Sequence, residues 1–196
     1  MAGKNRNKFN PDDLRSPIFL GRGNNGTVYQ LPNHHVIKIF FNNKDFEDEY
    51  SILERVNGNK YFPGIYEIGA NYIVRECVDG EILLNYIMEH GMNNKLGHNI
   101  IKLLKEFKKL KFTRIDIRCR DIYVQVDGSL KVIDPKGFYS EKRDFPQHLS
   151  KGLNKLGVLD SFLTILKEED PKLYKEWYPK ISSYIVSKNI ERNRCF

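Results

Sequence analysis

Residues 114–137 read RIDIRCRDIYVQVDGSLKVIDPKG, and they hold the richest pattern of the chain. Two β-favouring runs in it flank the tripeptide Asp127-Gly128-Ser129, and an Asp-Gly dipeptide between such runs is a strong hairpin signal. Asp116 and Asp121 stand just before the first run, and Asp134 follows the second. The stretch therefore predicts a short hairpin with acidic residues at its borders and with Asp134 emerging from a strand end.

Upstream of this hairpin, the chain has the pattern of an antiparallel sheet. Residues 18–41 contain short β-favouring runs separated by Gly, Asn and Pro, which predicts hairpins. Residues 44–57 repeat apolar side chains every three or four positions, which predicts a helix. A second hairpin is predicted over 65–75, and Asp79-Gly80 marks the predicted boundary between two lobes.

Downstream of that boundary, the pattern is mainly helical. Apolar residues keep helical spacing over 82–111, 149–166 and 174–186. We therefore expect an α+β fold, in which an N-terminal antiparallel sheet with one helix precedes a mainly helical C-terminal part. The predicted organisation is a flexible basic arm over 1–13, an N-terminal lobe over 14–79 and a C-terminal lobe over 80–196.

Composition narrows the class of protein. The 196-residue chain is 40% hydrophobic and 29% charged, which is ordinary for a globular protein. Its three cysteines include no C-x-x-C pair, which argues against a disulfide framework or a zinc site and favours a reducing, cytoplasmic setting. No apolar run is long enough to form a signal segment or to span a bilayer, so no membrane association is expected. The formal charge of +7 favours anionic partners such as nucleotides, acidic proteins or nucleic acid.

A glycine-rich turn lies between the first two predicted strands. Gly21, Gly23, Gly26 and Val28 fit the pattern G-x-G-x-x-G-x-V, whereas the dinucleotide fingerprint needs its glycines to open a helix. Glycines suit a loop that covers phosphates because they let backbone N–H groups approach closely and because they adopt unusual backbone angles. For the motif taken alone, a plain Gly/Asn turn is an equal alternative.

A lysine and a glutamate are the predicted partners of this turn. Lys38 lies in an otherwise apolar strand, where its charge reaches the α- and β-phosphates of a nucleotide if a carboxylate holds it in place. Glu49 on the following helix is the preferred carboxylate, because the helical pattern turns it toward the sheet. Glu47 and Glu54 are its rivals. The alternatives are a lysine on an exposed strand face and a solvated glutamate.

In their order and spacing, these motifs resemble those of the protein-kinase superfamily. The resemblance covers about 19–137 and is closest to small bacterial kinase-like proteins, including serine/threonine-kinase-like proteins of spore formers. It implies a two-lobed minimal kinase-like fold in which Asp116 orients or deprotonates the acceptor hydroxyl and Arg118 steadies the transferred phosphoryl group. It also implies that Asp121 and Asp134 hold Mg²⁺, or alternatively Mn²⁺, against the triphosphate. A salt bridge to a neighbouring acid is the alternative for Arg118.

The segment after the second predicted hairpin resembles the hinge between kinase lobes. The resemblance implies that Glu76 and Val78 offer backbone groups to the adenine of ATP and that Arg75 stands at the gatekeeper position. A large cation at that position is unusual and would narrow the back of the pocket.

Several positions depart from the kinase pattern. Arg114-Ile115 replaces the His-Arg of H-R-D, so another group must hold the catalytic loop. Asp121 replaces an asparagine, and three carboxylates near one cleft predict a strong dependence on metal. Asp134-Pro135-Lys136-Gly137 replaces D-F-G, and no A-P-E motif follows, so regulation through an activation loop is not expected.

Three classes of function stay open on the sequence alone. The leading one is an atypical serine/threonine protein kinase that acts on a partner protein or on itself. The second is a small-molecule kinase for a sugar or an aminoglycoside-like alcohol, and the third is a pseudokinase or a module that binds a partner or DNA. For DNA, the less favoured partner, the candidates are Lys4, Arg6, Lys8, Lys188, Arg192 and Arg194. No catalytic role is assigned to His34, His35, His90, His98 or His148.

Overall fold

The computed structural model describes residues 17–135, 137–139 and 141–193, without the side chains of 189 and 191–193. The predicted arm over 1–13 lies outside these residues, as do the DNA candidates Lys4, Arg6, Lys8 and Arg194 and the side chain of Arg192. The chain forms two compact units. The first extends to Val78 and includes Asp134, and the second comprises Asp79–Ile133 and the chain from Gly137 onward.

The first unit is an antiparallel sheet with one helix. Its elements are β1 (Ile18–Arg22), β2 (Gly26–Leu31), β3 (His35–Phe40), α1 (Asn43–Arg55), β4 (Ile65–Ile68) and β5 (Tyr72–Glu76). The strand order is β1-β2-β3-β5-β4, and each neighbouring pair is antiparallel. Between β2 and β3, Asn33 and His34 have φ values of 61° and 58°, which is the backbone that a tight hairpin turn requires.

Helix α1 lies against this sheet. It begins where the side chain of Asn42 accepts a hydrogen bond from the N–H of Asp45 at 2.9 Å. Its buried residues, Glu49, Ile52 and Leu53, share one stripe of the helix. Leu53 packs with apolar residues of β3 and β5. The same packing that buries Leu53 therefore turns Glu49 toward the sheet.

The second unit is mainly helical. Its strands are β6 (Glu81–Ile82), β7 (Ile122–Val124) and β8 (Leu130–Val132), in the order β6-β7-β8 and antiparallel throughout. Its helices are α2 (Leu83–His90), α3 (Asn94–Lys109), α4 (Gln147–Lys155), α5 (Leu159–Glu169) and α6 (Pro171–Asn193). Within the described ranges, the structure contains no helix with the length and apolar character needed to cross a membrane.

The core of the second unit fixes the chain on both sides of the acidic hairpin. The rings of Phe112 and Phe138 stack with their centroids 4.5 Å apart, and Phe107 of α3 packs 4.9 Å from Phe138. All three rings are buried. Because Phe112 precedes Asp116 by four residues, this aromatic cluster anchors the start of the acidic stretch.

The predicted α+β class, with its N-terminal antiparallel sheet and helical C-terminal part, is confirmed. The two long helical stretches predicted over 82–111 and 149–166 are each divided into two helices. Gly91 and Gly157 lie at these divisions with φ values of 69° and 71°, a left-handed backbone that ends a helix. Strand β6 was not predicted, because two residues show no periodicity.

Candidate active site

Hydrogen bonds hold the glycine-rich turn to the rest of the first unit. The N–H of Gly23 donates to the carbonyl of Gly26 at 2.9 Å, which closes the turn between β1 and β2. The N–H of Phe41 donates to the carbonyl of Asn25 at 3.0 Å. The side-chain amide of Asn25 in turn donates to the carboxylate of Asp45 in α1. The turn is therefore tied to both the sheet and the helix.

The three glycines of this turn serve different purposes. A Cβ on Gly26 would lie 2.3 Å from the carbonyl oxygen of Ile39 in β3, so the close approach of β2 and β3 requires glycine there. A Cβ on Gly21 or Gly23 would meet nothing within 4 Å. None of the three has a positive φ, so the prediction of unusual backbone angles was wrong for them. The open space beside Gly21 and Gly23 leaves their backbone approachable.

Gly26→Ala is expected to destabilise the protein by about 1–3 kcal/mol, because the added Cβ overlaps the backbone of β3. Urea unfolding followed by circular dichroism measures the change. Gly23→Ala is the matched control, since it adds the same methyl group to open space, and it is expected to stay within about 0.5 kcal/mol of wild type. Equal destabilisation by the two substitutions would contradict the packing role of Gly26.

Lys38 lies between two carboxylates of the first unit. It sits in β3, opposite Val28 of β2 and Ile73 of β5, and its side chain is only 9% exposed. Its ammonium donates to Oε2 of Glu49 and to Oδ1 of Asp134, the second at 3.2 Å. The pairing of Lys38 with Glu49 that the sequence indicated is therefore present. The rival acids of α1, Glu47 and Glu54, are exposed.

Glu49 is the most deeply buried member of this group. Burial raises the pKa of Glu49 above its ordinary value, and the positive charges of Lys38 and Arg75 oppose that rise. The nearby negative charge of Asp134 raises the pKa further. Oε1 of Glu49 is buried with no hydrogen-bond partner in the described part of the chain. The ionised state of Glu49 therefore depends on the ammonium of Lys38.

The segment predicted to contact a nucleobase lies at the end of β5, just before the boundary of the first unit at Val78. Glu76, at the end of β5, donates its N–H to the carbonyl of Gly64 at 2.9 Å, and Cys77 donates its N–H to the carbonyl of His34 at 2.7 Å. Val78 is half-buried, and Arg75, the residue predicted at the gatekeeper position, is buried. The N–H groups of Glu76 and Cys77 are therefore both engaged in hydrogen bonds within the first unit.

In the second unit, Asp116 is completely enclosed, with no exposed side-chain surface. Its Oδ1 accepts the backbone N–H of His148 at 2.7 Å. Its Oδ2 lies 2.5 Å from Nδ1 of His148 and 3.2 Å from a guanidinium nitrogen of Arg143. A second guanidinium, that of Arg114, lies 4.0 Å from Oδ2. Arg143 and His148 are thus the groups that hold the loop in which the histidine of H-R-D is missing.

Backbone contacts place Arg143 and His148 beside this loop. The N–H of Arg143 donates to the carbonyl of Thr113 at 2.9 Å, and its carbonyl accepts the N–H of Ile115 at 2.6 Å. His148 is the second residue of α4, and Pro146 before that helix offers no capping side chain. The carboxylate of Asp116 acts as the capping acceptor at this end of α4. The free N–H groups and the dipole at the start of a helix favour a negative charge there.

A short 3-10 turn, Cys119–Asp121, connects this loop to β7. The N–H of Asp121 donates to the carbonyl of Arg118 at 3.0 Å, and the carbonyl of Asp121 accepts the N–H of Ile133 at 3.1 Å. The side chain of Arg118 is exposed and Asp121 is half-buried. Burial raises the pKa of Cys119 to about 12, so its thiol is unreactive.

The predicted site residues therefore fall into two groups. Lys38, Glu49 and Asp134 meet in the first unit, together with the glycine-rich turn and the segment ending at Val78. The second unit contains Asp116, Arg118 and Asp121 on a single loop.

Sequence reasoning missed Arg143 and His148. They follow Asp116 by 27 and 32 residues, and no motif surrounds them. The available signal was the start of a helical pattern after Pro146 with no Ser, Thr, Asp or Asn at the capping position. Such a helix start needs an acceptor from elsewhere in the chain.

A separate cluster of acidic groups lies on α2 and β6. Ligand atoms of Glu81, Glu89 and His90 lie within 4.8 Å of one another. Glu89 and His90 are exposed, and none of the predicted metal ligands belongs to the cluster. Exposed groups of this kind are common without an ion, so we assign the cluster no function.

The chain resembles a named bacterial protein in sequence. It is 24% identical over 129 residues to the "Putative serine/threonine-protein kinase YrzF" of Bacillus subtilis (strain 168). The similarity is to a kinase-like protein. The match covers 63% of this chain and 60% of the length of YrzF. No family model matches the chain.

The structure agrees with this similarity at the level of the fold. A five-stranded antiparallel sheet with one helix, followed by a mainly helical part, is consistent with a small kinase-like fold. Together with the distant relation to YrzF, it supports a kinase-like class of protein for this chain.

Proposed function

We propose that the protein is an ATP-dependent phosphotransferase of the kinase-like class. The observation that carries this proposal is the position of Lys38 between Glu49 and Asp134, because it reproduces the charge pattern that phosphoryl transfer needs. An ammonium held by a buried glutamate can bind phosphate oxygens, and a neighbouring aspartate can bind the metal that accompanies them. Asp134 joins this group although it follows Lys38 by 96 residues.

The nucleotide-binding residues fit ATP on chemical grounds. Gly21 and Gly23 leave open space beside the backbone where phosphate oxygens can approach N–H groups. Val78 has the backbone N–H that we assign to the adenine, next to the carbonyl of Glu76. Gly26 and Val28 support the turn from β2, since Val28 lies opposite Lys38.

The metal-binding residues fit a hard divalent cation. Asp134 is 38% exposed and supplies carboxylate oxygens, which Mg²⁺ and Mn²⁺ prefer. Asp121 supplies a second carboxylate from its own loop. A bound Mg²⁺ would neutralise charge on the triphosphate. We therefore propose that the activity depends on Mg²⁺ or Mn²⁺.

We propose a serine or threonine hydroxyl of a partner protein, or of this chain itself, as the acceptor. The similarity to YrzF supports this class of acceptor, and the exposed Arg118 can steady the transferred phosphoryl group. We place the activity in the cytoplasm, where ATP is available and where Cys77 and Cys119, the free cysteines of the described residues, would stay reduced.

A second candidate function is nucleotide binding without transfer. The observation that favours it is the enclosure of Asp116, whose two oxygens are both occupied by His148 and Arg143. In a kinase the aspartate at this place meets the acceptor hydroxyl. A protein that has lost that contact would bind ATP and regulate a partner instead.

Purified protein incubated with labelled ATP tests both candidates. ADP release and phosphate incorporation into the chain or into a basic protein are measured with Mg²⁺, with Mn²⁺ and with a chelator. Metal-dependent ADP release with labelled serine or threonine is the expected result, and ADP release only on adding an aminoglycoside or a sugar would indicate a small-molecule acceptor. Metal-dependent ATP binding without ADP release would favour the second candidate, and absence of ATP binding would overturn the proposal.

A further inference from the structure

The enclosure of Asp116 raises the question of which group meets the acceptor hydroxyl. The carboxylate has no exposed surface, and each of its oxygens already accepts a hydrogen bond. A general base must lie within hydrogen-bond reach of the proton that it removes. The two side chains hydrogen-bonded to Asp116 are both partly exposed, His148 at 29% and Arg143 at 24%. Of the two, only the imidazole can accept a proton.

The hydrogen bonds assign the proton on that imidazole. Nδ1 of His148 lies 2.5 Å from Oδ2 of Asp116, and an ionised carboxylate only accepts, so Nδ1 carries the hydrogen that it donates. A guanidinium nitrogen of Arg143 lies 3.0 Å from Nδ1 and 3.2 Å from Oδ2 of Asp116. Because Arg143 has only donors and Nδ1 already carries a hydrogen, the guanidinium donates to the carboxylate oxygen. In the neutral ring, Nε2 therefore carries the lone pair. No residue in the described part of the chain forms a hydrogen bond with Nε2.

The carboxylate of Asp116 has two guanidinium neighbours besides the imidazole. The guanidinium groups of Arg143 and Arg114 lie 3.2 Å and 4.0 Å from Oδ2 of Asp116. Glu141 pairs with the far side of Arg143 at 2.8 Å. The negative charge of Asp116 therefore has two cationic partners apart from His148.

The backbone that carries the ring is fixed by several contacts. The backbone N–H of His148 is fixed by Asp116, and α4 is packed against the loop where a Cβ on Gly152 would lie 2.6 Å from the sulfur of Cys119. Asp144, four residues before His148, accepts the indole N–H of the buried Trp177 at 3.0 Å through its carbonyl. Its carboxylate also pairs with Lys180 at 2.5 Å. Such fixed orientation is what a catalytic base requires.

We propose that His148 is the catalytic base of the phosphotransferase and that Asp116 is its positioning residue. In the reaction, the O–H bond of the acceptor breaks and its proton passes to Nε2. The acceptor oxygen bonds to the γ-phosphorus, and the bond from that phosphorus to the β–γ bridging oxygen breaks, so ADP leaves. The proton then passes from Nε2 to solvent. This assignment rests on the proposed function and gives Asp116 the role that an aspartate has beside a catalytic histidine.

His148→Asn is the decisive variant. The asparagine amide keeps an N–H near the position of Nδ1, so it can still donate to Asp116, but it has no basic nitrogen at the position of Nε2. The turnover number is expected to fall by about 10²–10⁴-fold. The KM for ATP is expected to stay within about twofold of the wild-type value, because the substitution removes no group that binds ATP in the ground state. His98→Asn is the matched control, since His98 lies on α3 away from the loop and bonds the carbonyl of Asn94.

A rescue experiment separates chemistry from structure. In His148→Ala, added imidazole is expected to restore turnover, whereas pyrazole, a ring of the same shape and much lower basicity, is not. Restoration of turnover by both rings, or by neither, would overturn the proposal. If His148 is the catalytic base, only a basic ring added from solution can replace it. A His148→Asn variant with wild-type or higher turnover would also overturn it and would show that Asp116 itself meets the acceptor. If the wild-type protein binds ATP but releases no ADP, the proposed function fails, and this inference fails with it.

Discussion

Lys38→Met is expected to lower the kcat/KM for ATP turnover by about 10²–10³-fold, because it removes a positioned charge that binds phosphate oxygens. It is also expected to destabilise the protein, since Glu49 is left buried without its main ion-pair partner. Removing one partner of a buried pair costs about 3–5 kcal/mol. Steady-state ADP release and urea unfolding measure the two effects on the same preparation.

The loss of stability in Lys38→Met is expected to depend on pH. The pKa of Glu49 is already raised by burial, and loss of the Lys38 charge raises it further. The folded state then holds the proton more tightly than the unfolded state, so stability is highest below the ordinary Glu pKa of about 4.3 and falls as pH rises above it. The free energy of unfolding, measured with urea at several values between pH 4 and pH 8, tests this expected decline.

The double variant Lys38→Met/Glu49→Gln is the control for these effects. Glutamine stays neutral, so burying it carries no cost of removing a charge from water. The double variant is therefore expected to regain stability at neutral pH and to lose the dependence of its stability on pH. Its ATP turnover is expected to stay as low as in Lys38→Met. Recovery of turnover in the double variant would show that Lys38 acts only as a partner of Glu49.

Asp134→Asn is expected to lower metal-dependent turnover by about 10³-fold, because a metal ligand contributes several kcal/mol to transition-state stabilisation and each factor of ten corresponds to about 1.4 kcal/mol. Its effect on stability is expected to be small. Asp134 is 38% exposed, and its negative charge raises the pKa of Glu49, so neutralising it relieves repulsion. Turnover measured across a range of Mg²⁺ and Mn²⁺ concentrations checks the first effect, and thermal unfolding checks the second.

Asp48→Asn is the matched control for Asp134→Asn. Asp48 is exposed on α1 in the same unit, so it undergoes the same chemical change away from Lys38. It is expected to leave both turnover and its metal dependence unchanged. If Asp134→Asn kept wild-type turnover at low Mg²⁺, Asp134 would be only a partner of Lys38 and the metal would have to bind elsewhere.

The pairing of Lys38 with Glu49 was predictable from the sequence because Lys38 is a charged residue in an otherwise apolar strand and Glu49 lies on a helix with a clear period. β3 is almost wholly buried, and the apolar stripe of α1 fixes the helix face that packs against the sheet to bury Leu53. Even so, the reason for Gly26 was not predictable. It depends on the register that brings β2 against β3, where Ile39 and Thr27 are paired.

The surroundings of Asp116 could not be predicted for a different reason. Arg143 reaches it from a segment without periodicity, and His148 reaches it from the first turn of α4. The position of both is set by contacts such as the one between Trp177 and Asp144. Contacts of this kind depend on the packing of helices far along the chain. The sequence showed that the usual histidine was missing from the loop, but it did not show which groups take over its task.

The inclusion of Asp134 in the first unit has a consequence for how the protein is made. Lys38 and Glu49 leave the ribosome early, but the chain must be synthesised through the whole stretch 79–133 before Asp134 can join them. At about 5–20 residues per second, this delay is on the order of seconds. During that time, Lys38 and Glu49 are present without Asp134, so this group of three charges can be complete only after the stretch 79–133 has been synthesised.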